Sequence, residues 1–342
     1  MKKIALLLIF AINSIYSGPS SFVDLEERAQ DFVLESRQIK IEEYPTAFNP
    51  TIVRWQGALL MGFRIRDTQT ASTDKIGMVW LDDHFDLKCS PYVLNVPSYP
   101  SLIPSKQQDP RLIVIGERLY MVYSNVIRGL VSVEVRRMFI AEVHFDGLQF
   151  YTDPPEGLFY FENENERRWE KNWVPFEYRG ELYLAYSLSP HKILKPVPGT
   201  NSCDTFTTSN GEIDWKWGIP RGGTQAYLDG DQYLSFFHSS INMPTVHSNG
   251  INFPHYFFGA YTFSTSPPFE ITQISPEPIV GNGFYSGPPY KTWKPLRVVF
   301  PDGFIFDEEF VWLFYGKQDH EIWMAKLDKK RLLESLVPLI SN

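Results

Sequence analysis

The chain of 342 residues carries 32 Lys and Arg against 40 Asp and Glu, a net charge of −8, and is 43% hydrophobic. That apolar fraction over that length supports a large core, which excludes a disordered, collagenous or small disulfide-stapled chain. Basic residues form no run longer than Lys329-Lys330-Arg331, so the electrostatic footprint of a nucleic-acid partner is missing. Aromatic residues make up 15% of the chain, beside 22 Gly and 26 Pro, a balance that favours strands and turns over long helices.

In chain order, Met1, Lys2 and Lys3 precede an apolar run from Ile4 to Ile12 and a polar stretch from Asn13 to Ser20. Those are the three regions of a secretory signal peptide, which sets residues 1–18 apart from a single domain over 19–342. The expected destination is secreted or periplasmic, with an uncleaved anchor as the alternative. The apolar run is too short to span a bilayer, and after cleavage no membrane association is expected. Residues 22–38 read as a helix leading into the first repeat, and 329–336 as a short C-terminal helix.

Five segments then share one pattern: a polar or proline-containing start, an apolar strand, a turn with Gly or charge, and a second strand ending in aromatics. They begin at Phe48-Asn49-Pro50, Asp109-Pro110-Arg111, Asn172-Trp173-Val174-Pro175, Arg221-Gly222-Gly223-Thr224 and Val298-Val299-Phe300-Pro301. Each reads as a β-hairpin. Further strands follow some hairpins, at Arg137 to Val143 and Tyr256 to Phe263. Units roughly 50 to 75 residues apart fit four-stranded blades, so the predicted fold is all-β, a five-bladed β-propeller. A two-sheet sandwich is the alternative, and it leaves the repeated starts unexplained.

In a propeller the innermost strands converge on one axial channel, so polar starts at equal phase form one pocket. Asn49, Asp109, Lys171 with Asn172, Arg221 and Asp319 would meet there, with Trp173 among the few aromatic rings free to hold a sugar. Asp109 precedes a proline that cannot continue a central strand, which places it at a strand start with Arg111 on the same face. It reads as a general acid or as a turn cap. Glu170-Lys171-Asn172-Trp173 is the densest polar cluster, Arg221-Gly222-Gly223 could present backbone N–H groups to an anion, and His238 ends an apolar strand. Cys89 and Cys203 lie far apart in sequence, and either one disulfide or two buried thiols fits. No Cys or His spacing suits a metal.

These starts, together with Arg64, the Asp229-Gly230 to His238 hairpin, and Phe300-Pro301-Asp302-Gly303 leading to Tyr315-Gly316-Lys317-Gln318-Asp319, resemble glycoside hydrolase family 130, the β-mannoside phosphorylases and hydrolases. The resemblance covers most of the mature chain and implies a five-bladed propeller that cleaves β-mannosides with inversion. By that resemblance Asp109 is the proton donor, Asn49, Arg64 and Asp319 line the sugar subsite, and His238 helps to bind phosphate. Direct hydrolysis needs a second carboxylate as base, for which Glu170 is nearest in sequence. The expected catalytic pair is Asp109 and Glu170. The expected substrate-binding set is Asn49, Arg64, Arg111, Lys171, Asn172, Arg221, His238, Tyr315 and Asp319.

The expected partner is an oligosaccharide or glycan, with no cofactor and with inorganic phosphate as co-substrate if cleavage is phosphorolytic. Three features depart from the family. Lys216 falls one position out of register, Arg136 and Arg137 could supply a phosphate clamp, and residues 189–211 look like an inserted loop that would reshape leaving-group specificity. A signal peptide favours hydrolysis over phosphorolysis, because a sugar phosphate is useful in the cytoplasm. A β-mannosyltransferase and a non-catalytic carbohydrate-binding propeller are the other readings.

Overall fold

The computed structural model describes residues 22–66, 74–97, 106–128, 134–159, 161, 169–209, 211–290 and 294–339. Among these the strands form five antiparallel sheets. Blade one orders Phe48–Trp55, Ala58–Arg66, Asp74–Leu81 and Tyr92–Val93 outward from the channel. Blade two runs Gln108–Ile115, Arg118–Arg128, Glu134–Phe145 and Glu156–Leu158. In blade three the order is Val174–Tyr178, Glu181–Leu188, His191–Val197 and Ser202–Ser209. Blade four builds on Gln232–Met243 and Phe253–Ser264, and the C-terminal strand Val337–Pro338 lies at its outer edge.

Blade five is completed from the other end of the chain. Its inner strands are Val299–Phe306, Phe310–Lys317 and Glu321–Asp328, and the outermost is Val33–Ile39. The helix expected over 22–38 is therefore corrected: a single 3-10 turn, Glu26–Arg28, precedes this strand. Tertiary pairing overrides local propensity here. Val33 to Ile39 finds backbone partners from Leu327 to Ile322. The Glu26 carboxylate, instead of capping a helix, accepts the backbone N–H groups of Gly283, Tyr285 and Ser286. The C-terminal helix forms as Lys329–Glu334, with the Asp328 side chain accepting the Arg331 N–H at 2.9 Å.

The reading of 189–211 as an inserted loop is also corrected, because these residues supply the two outer strands of blade three. The signal-peptide reading lies outside the described residues. Cys89 and Cys203 are both free thiols.

The core sits between blades. Separate apolar clusters fill the wedges between blades one and two, two and three, three and four, four and five, and five and one. Trp173 is fully buried in one of them, edge-on to Phe161 at 5.3 Å and Tyr186 at 5.4 Å. It therefore packs the wedge and holds no sugar, contrary to the sequence expectation. Emptying such a position costs about 3 to 5 kcal/mol.

The inner strands of blades one, two and five each break register at the channel mouth. The breaks fall between Phe48 and Thr51, Gln108 and Arg111, and Pro301 and Gly303. A bulge leaves residues out of the ladder, which is where proline's missing N–H costs nothing and where a side chain can be re-aimed. Asn49 and Asp109 take left-handed backbone angles there, with φ of 51° and 54°. Asn and Asp are the side-chain-bearing residues that tolerate this conformation best.

Candidate active site

Asp109 is the centre of the mouth. It is 5% exposed, and its Oδ1 accepts from Asn49 Nδ2 at 2.8 Å and from an Arg64 guanidinium nitrogen at 3.2 Å. Lys171 Nζ lies 3.7 Å from the other carboxylate oxygen. Burial pushes the acid up, but Arg64, Lys171, the Asn49 amide and Arg111 together outweigh it and hold Asp109 well below the carboxylate range. In the empty site it is an anion. Burial lowers Lys171 to about 8 even though Asp109 beside it opposes the shift.

Arg64 is aimed by two further contacts. It donates to Asp74 Oδ2 at 2.8 Å and lies over the Phe48 ring at 4.7 Å. Gln108 Nε2 donates to the same Asp74 oxygen. Gly316 makes room for Asn49, since a Cβ there would overlap the Asn49 side chain.

Arg111 ties the floor across the channel. Its Nε donates to Gly223 O at 2.5 Å, and its guanidinium nitrogens donate to Asp109 O at 3.2 Å and Asn172 Oδ1 at 3.3 Å. Asp302, wholly buried on the blade-five bulge, sits 3.3 Å from the same guanidinium. Burial raises Asp302 well above the carboxylate range, with Arg111 opposing.

His238 Nδ1 lies 2.9 Å from Gly222 O, a carbonyl that can only accept, so the proton is on Nδ1. Nε2 is then a bare acceptor facing Asn172 Nδ2 at 3.5 Å. Burial, with the cations Arg111 and Arg221, pushes the ring down to about 3 and keeps it neutral. Such a ring accepts a hydroxyl proton but offers a phosphate no donor. Asp319, on the turn after Phe310–Lys317, is raised by burial against the pull of Arg64 and Arg66.

The structure thus brings Asn49, Arg64, Asp109, Arg111, Lys171, Asn172, His238 and Asp319 into one electrostatically coupled cluster. Three expected residues have other surroundings. Tyr315 is fully buried and shares a hydrogen bond with Ser36 Oγ at 2.7 Å in a wedge core, which corrects its placement in the substrate site. Glu170 takes the Trp173 indole N–H at 3.3 Å. Arg221 is exposed on its short strand at the rim, in register with His238, whose ring it helps to keep neutral. Of the further basic candidates, Lys216 is exposed and Arg136 lies over Trp169 at 5.3 Å.

Sequence reasoning missed Asp74, Gln108 and Asp302. Asp302 follows its proline where Asn49 and Asp109 precede theirs, so the repeat did not mark it. Asp74 pairs in register with Arg66 across blade one, a relation visible once the strand partner is known.

No family model matches the chain and no curated protein matches it. Solved structures do. One is a structure from work on the GH130 family of mannoside phosphorylases, containing glycoside hydrolases that target β-1,2 mannosidic linkages in Candida mannan. It has a TM-score of 0.55 at 14% identity and covers 84% of this chain and 85% of that one. A β-1,2-mannobiose phosphorylase from Listeria innocua gives 0.59 at 14% identity, covering 88% and 92%. A GDP-Man-dependent mannosyltransferase from Leishmania mexicana gives 0.56 at 13%, covering 86% and 90%. The chain is a five-bladed β-propeller similar in fold to these mannoside-acting proteins.

Proposed function

We propose that the protein is a carbohydrate-active enzyme that cleaves β-mannosides with inversion, and that it acts outside the cytoplasm. The observation that carries this reading is Asp109, fixed on a bulge by Asn49, Arg64 and Lys171 in a mouth lined with amide, guanidinium and imidazole partners for sugar hydroxyls. In the step proposed, a nucleophile attacks the anomeric carbon from the face opposite the glycosidic oxygen while Asp109 gives that oxygen a proton. Asp109 is an anion at neutral pH, so to act as the acid it takes a proton from solvent as the sugar binds. A sugar that excludes water and parts Lys171 from the carboxylate raises the acid towards its working range. The export expected from the N-terminal sequence favours water over phosphate as the nucleophile.

Asp319 is a second candidate for the proton donor, because burial already raises it in the empty site. Incubation of the purified protein with β-1,2- and β-1,4-mannobiose, with and without phosphate, tests the function. Free mannose without phosphate is expected. Mannose 1-phosphate would redirect the reading to phosphorolysis, transfer to an acceptor to a transferase, and calorimetric binding without turnover to a non-catalytic propeller. Comparing the pH profiles of Asp109→Asn and Asp319→Asn decides between the two acids.

A further inference from the structure

Beside the mouth lies a cavity of about 690 Å³ walled by Phe253, Tyr290, His247, Lys294 and Arg297. Arg297 is 8% exposed, and the chain pins it in place: its N–H donates to Pro254 O at 3.0 Å and its carbonyl accepts from Tyr256 N at 2.8 Å. Its Nε donates to His247 O at 2.6 Å, and one terminal nitrogen reaches Gly287 O at 3.5 Å. Both acceptors are neutral carbonyls. No described carboxylate forms an ion pair with Arg297, and burial depresses its pKa with no anion opposing. The nearby Lys317, by contrast, has Glu321 and Glu26 offsetting its charge.

A buried guanidinium without a counter-charge is costly unless an anion completes it. The wall presents the Arg297 and Lys294 cations beside a tyrosine and a phenylalanine, while the carboxylates around it are engaged elsewhere, Asp24 with His247 at 2.9 Å and Glu321 by the Tyr290 hydroxyl. The charges suit a carboxylate or phosphate, and the rings suit the C–H face of a sugar. One apolar strip, Leu296, Val298, Phe300 and Tyr256, links the cavity to the catalytic mouth. At its far end Phe300 and Tyr256 flank His238, with ring centroids 4.5 and 6.2 Å away.

We propose that this cavity is a second subsite, which takes an anionic sugar residue, uronate or sugar phosphate, of a glycan reaching out from the mouth. That this residue belongs to the same glycan rests on the function proposed above. Its binding does not.

Calorimetry on the purified protein with mannose 6-phosphate, glucuronate, mannose and inorganic phosphate separates the sources. One or both anionic sugars should bind, and which one does identifies the group. Arg297→Gln should weaken that binding at least tenfold, Arg297→Lys should restore part of it, and Lys171→Ala should leave it unchanged. Lys294→Ala, on the half-buried rim, should weaken it about threefold and covers the case in which Arg297→Gln does not fold. Three results would overturn the inference: no binding by the wild type, loss on Lys171→Ala but not on Arg297→Gln or Lys294→Ala, or inorganic phosphate binding as tightly as the sugar phosphate. Failure of mannobiose cleavage with this binding intact would sink the proposed reaction and leave the subsite standing.

Discussion

Blades one and two give the channel left-handed Asn and Asp side chains, whereas blade four gives it backbone carbonyls and the one imidazole of His238 that they hold. At the first two mouths a left-handed Asn or Asp stands on a bulge and points a polar group inward. At the fourth stand Gly222 and Gly223, whose carbonyls hold His238 Nδ1 and Arg111 Nε. A Cβ on Gly222 would overlap the Asn172 carbonyl. The ring is thus repeated in fold but divided in labour: one side carries the carboxylate proposed as the acid, and the other fixes the protonation state and aim of the groups around it. Repetition fixes where the channel is, and departures from it decide what happens there.

The comparison is most exposed at Asp109. Asp109→Asn should lower mannobiose cleavage by about 10² to 10⁴-fold while calorimetric binding survives. Unchanged turnover would remove the catalytic meaning from the side-chain half. Gly222→Ala should break the backbone half, destabilising the fold by about 3 kcal/mol in chemical denaturation and loosening His238. If its midpoint matches the wild type, the close approach carries no weight.

A third expectation concerns acid. His191, buried with Nδ1 at 2.6 Å from Phe269 O, is lowered by burial from 6.5 to about 4. Between those values the unfolded chain takes the proton and the folded chain does not, so stability falls as pH drops from about 6.5 to 4. This one group accounts for roughly 3 kcal/mol. His191→Gln, with denaturation midpoints measured at pH 7 and 4.5, should flatten that slope.

Lys171 gives an alkaline limb. Its charge is present below about 8 and lost above it, and with it a charged donor for sugar hydroxyls, so KM should rise beyond that point. Lys171→Arg should move the limb out of range. The smallest effect belongs to Arg221→Ala, whose exposed side chain on blade four should change KM by less than about threefold. A large change would mean that blade four acts through side chains beyond His238.

The five hairpins were legible because each is local: alternation, a turn and a bulge fall within about 20 residues. The strand Val33–Ile39 was not, since Val-Leu-Glu-Ser-Arg-Gln-Ile has no partner near it in sequence and its charges mimic a helix face. Residues 189–211 were misread for a related reason, because outer strands half in water keep Thr, Ser and Asp where inner strands show Val and Leu. In the site, Asn49, Asp109 and Asn172 stood out by their phase. Asp302 lies after its proline, out of that phase and inside an apolar run. Trp173 and Tyr315 misled because the same ring serves a sugar or a wedge, and only burial tells which.

The pairing of Val33–Ile39 with Glu321–Asp328 also sets an order of events in time. During synthesis the first strand emerges almost 290 residues before its partner, about 15 to 60 s earlier at ordinary elongation rates. Until then blade five lacks its rim, and Asn49, seated against Gly316, has no neighbour on that side. A nascent chain therefore holds every other piece of the mouth without a working one, and activity should switch on in a single step once the last blade closes.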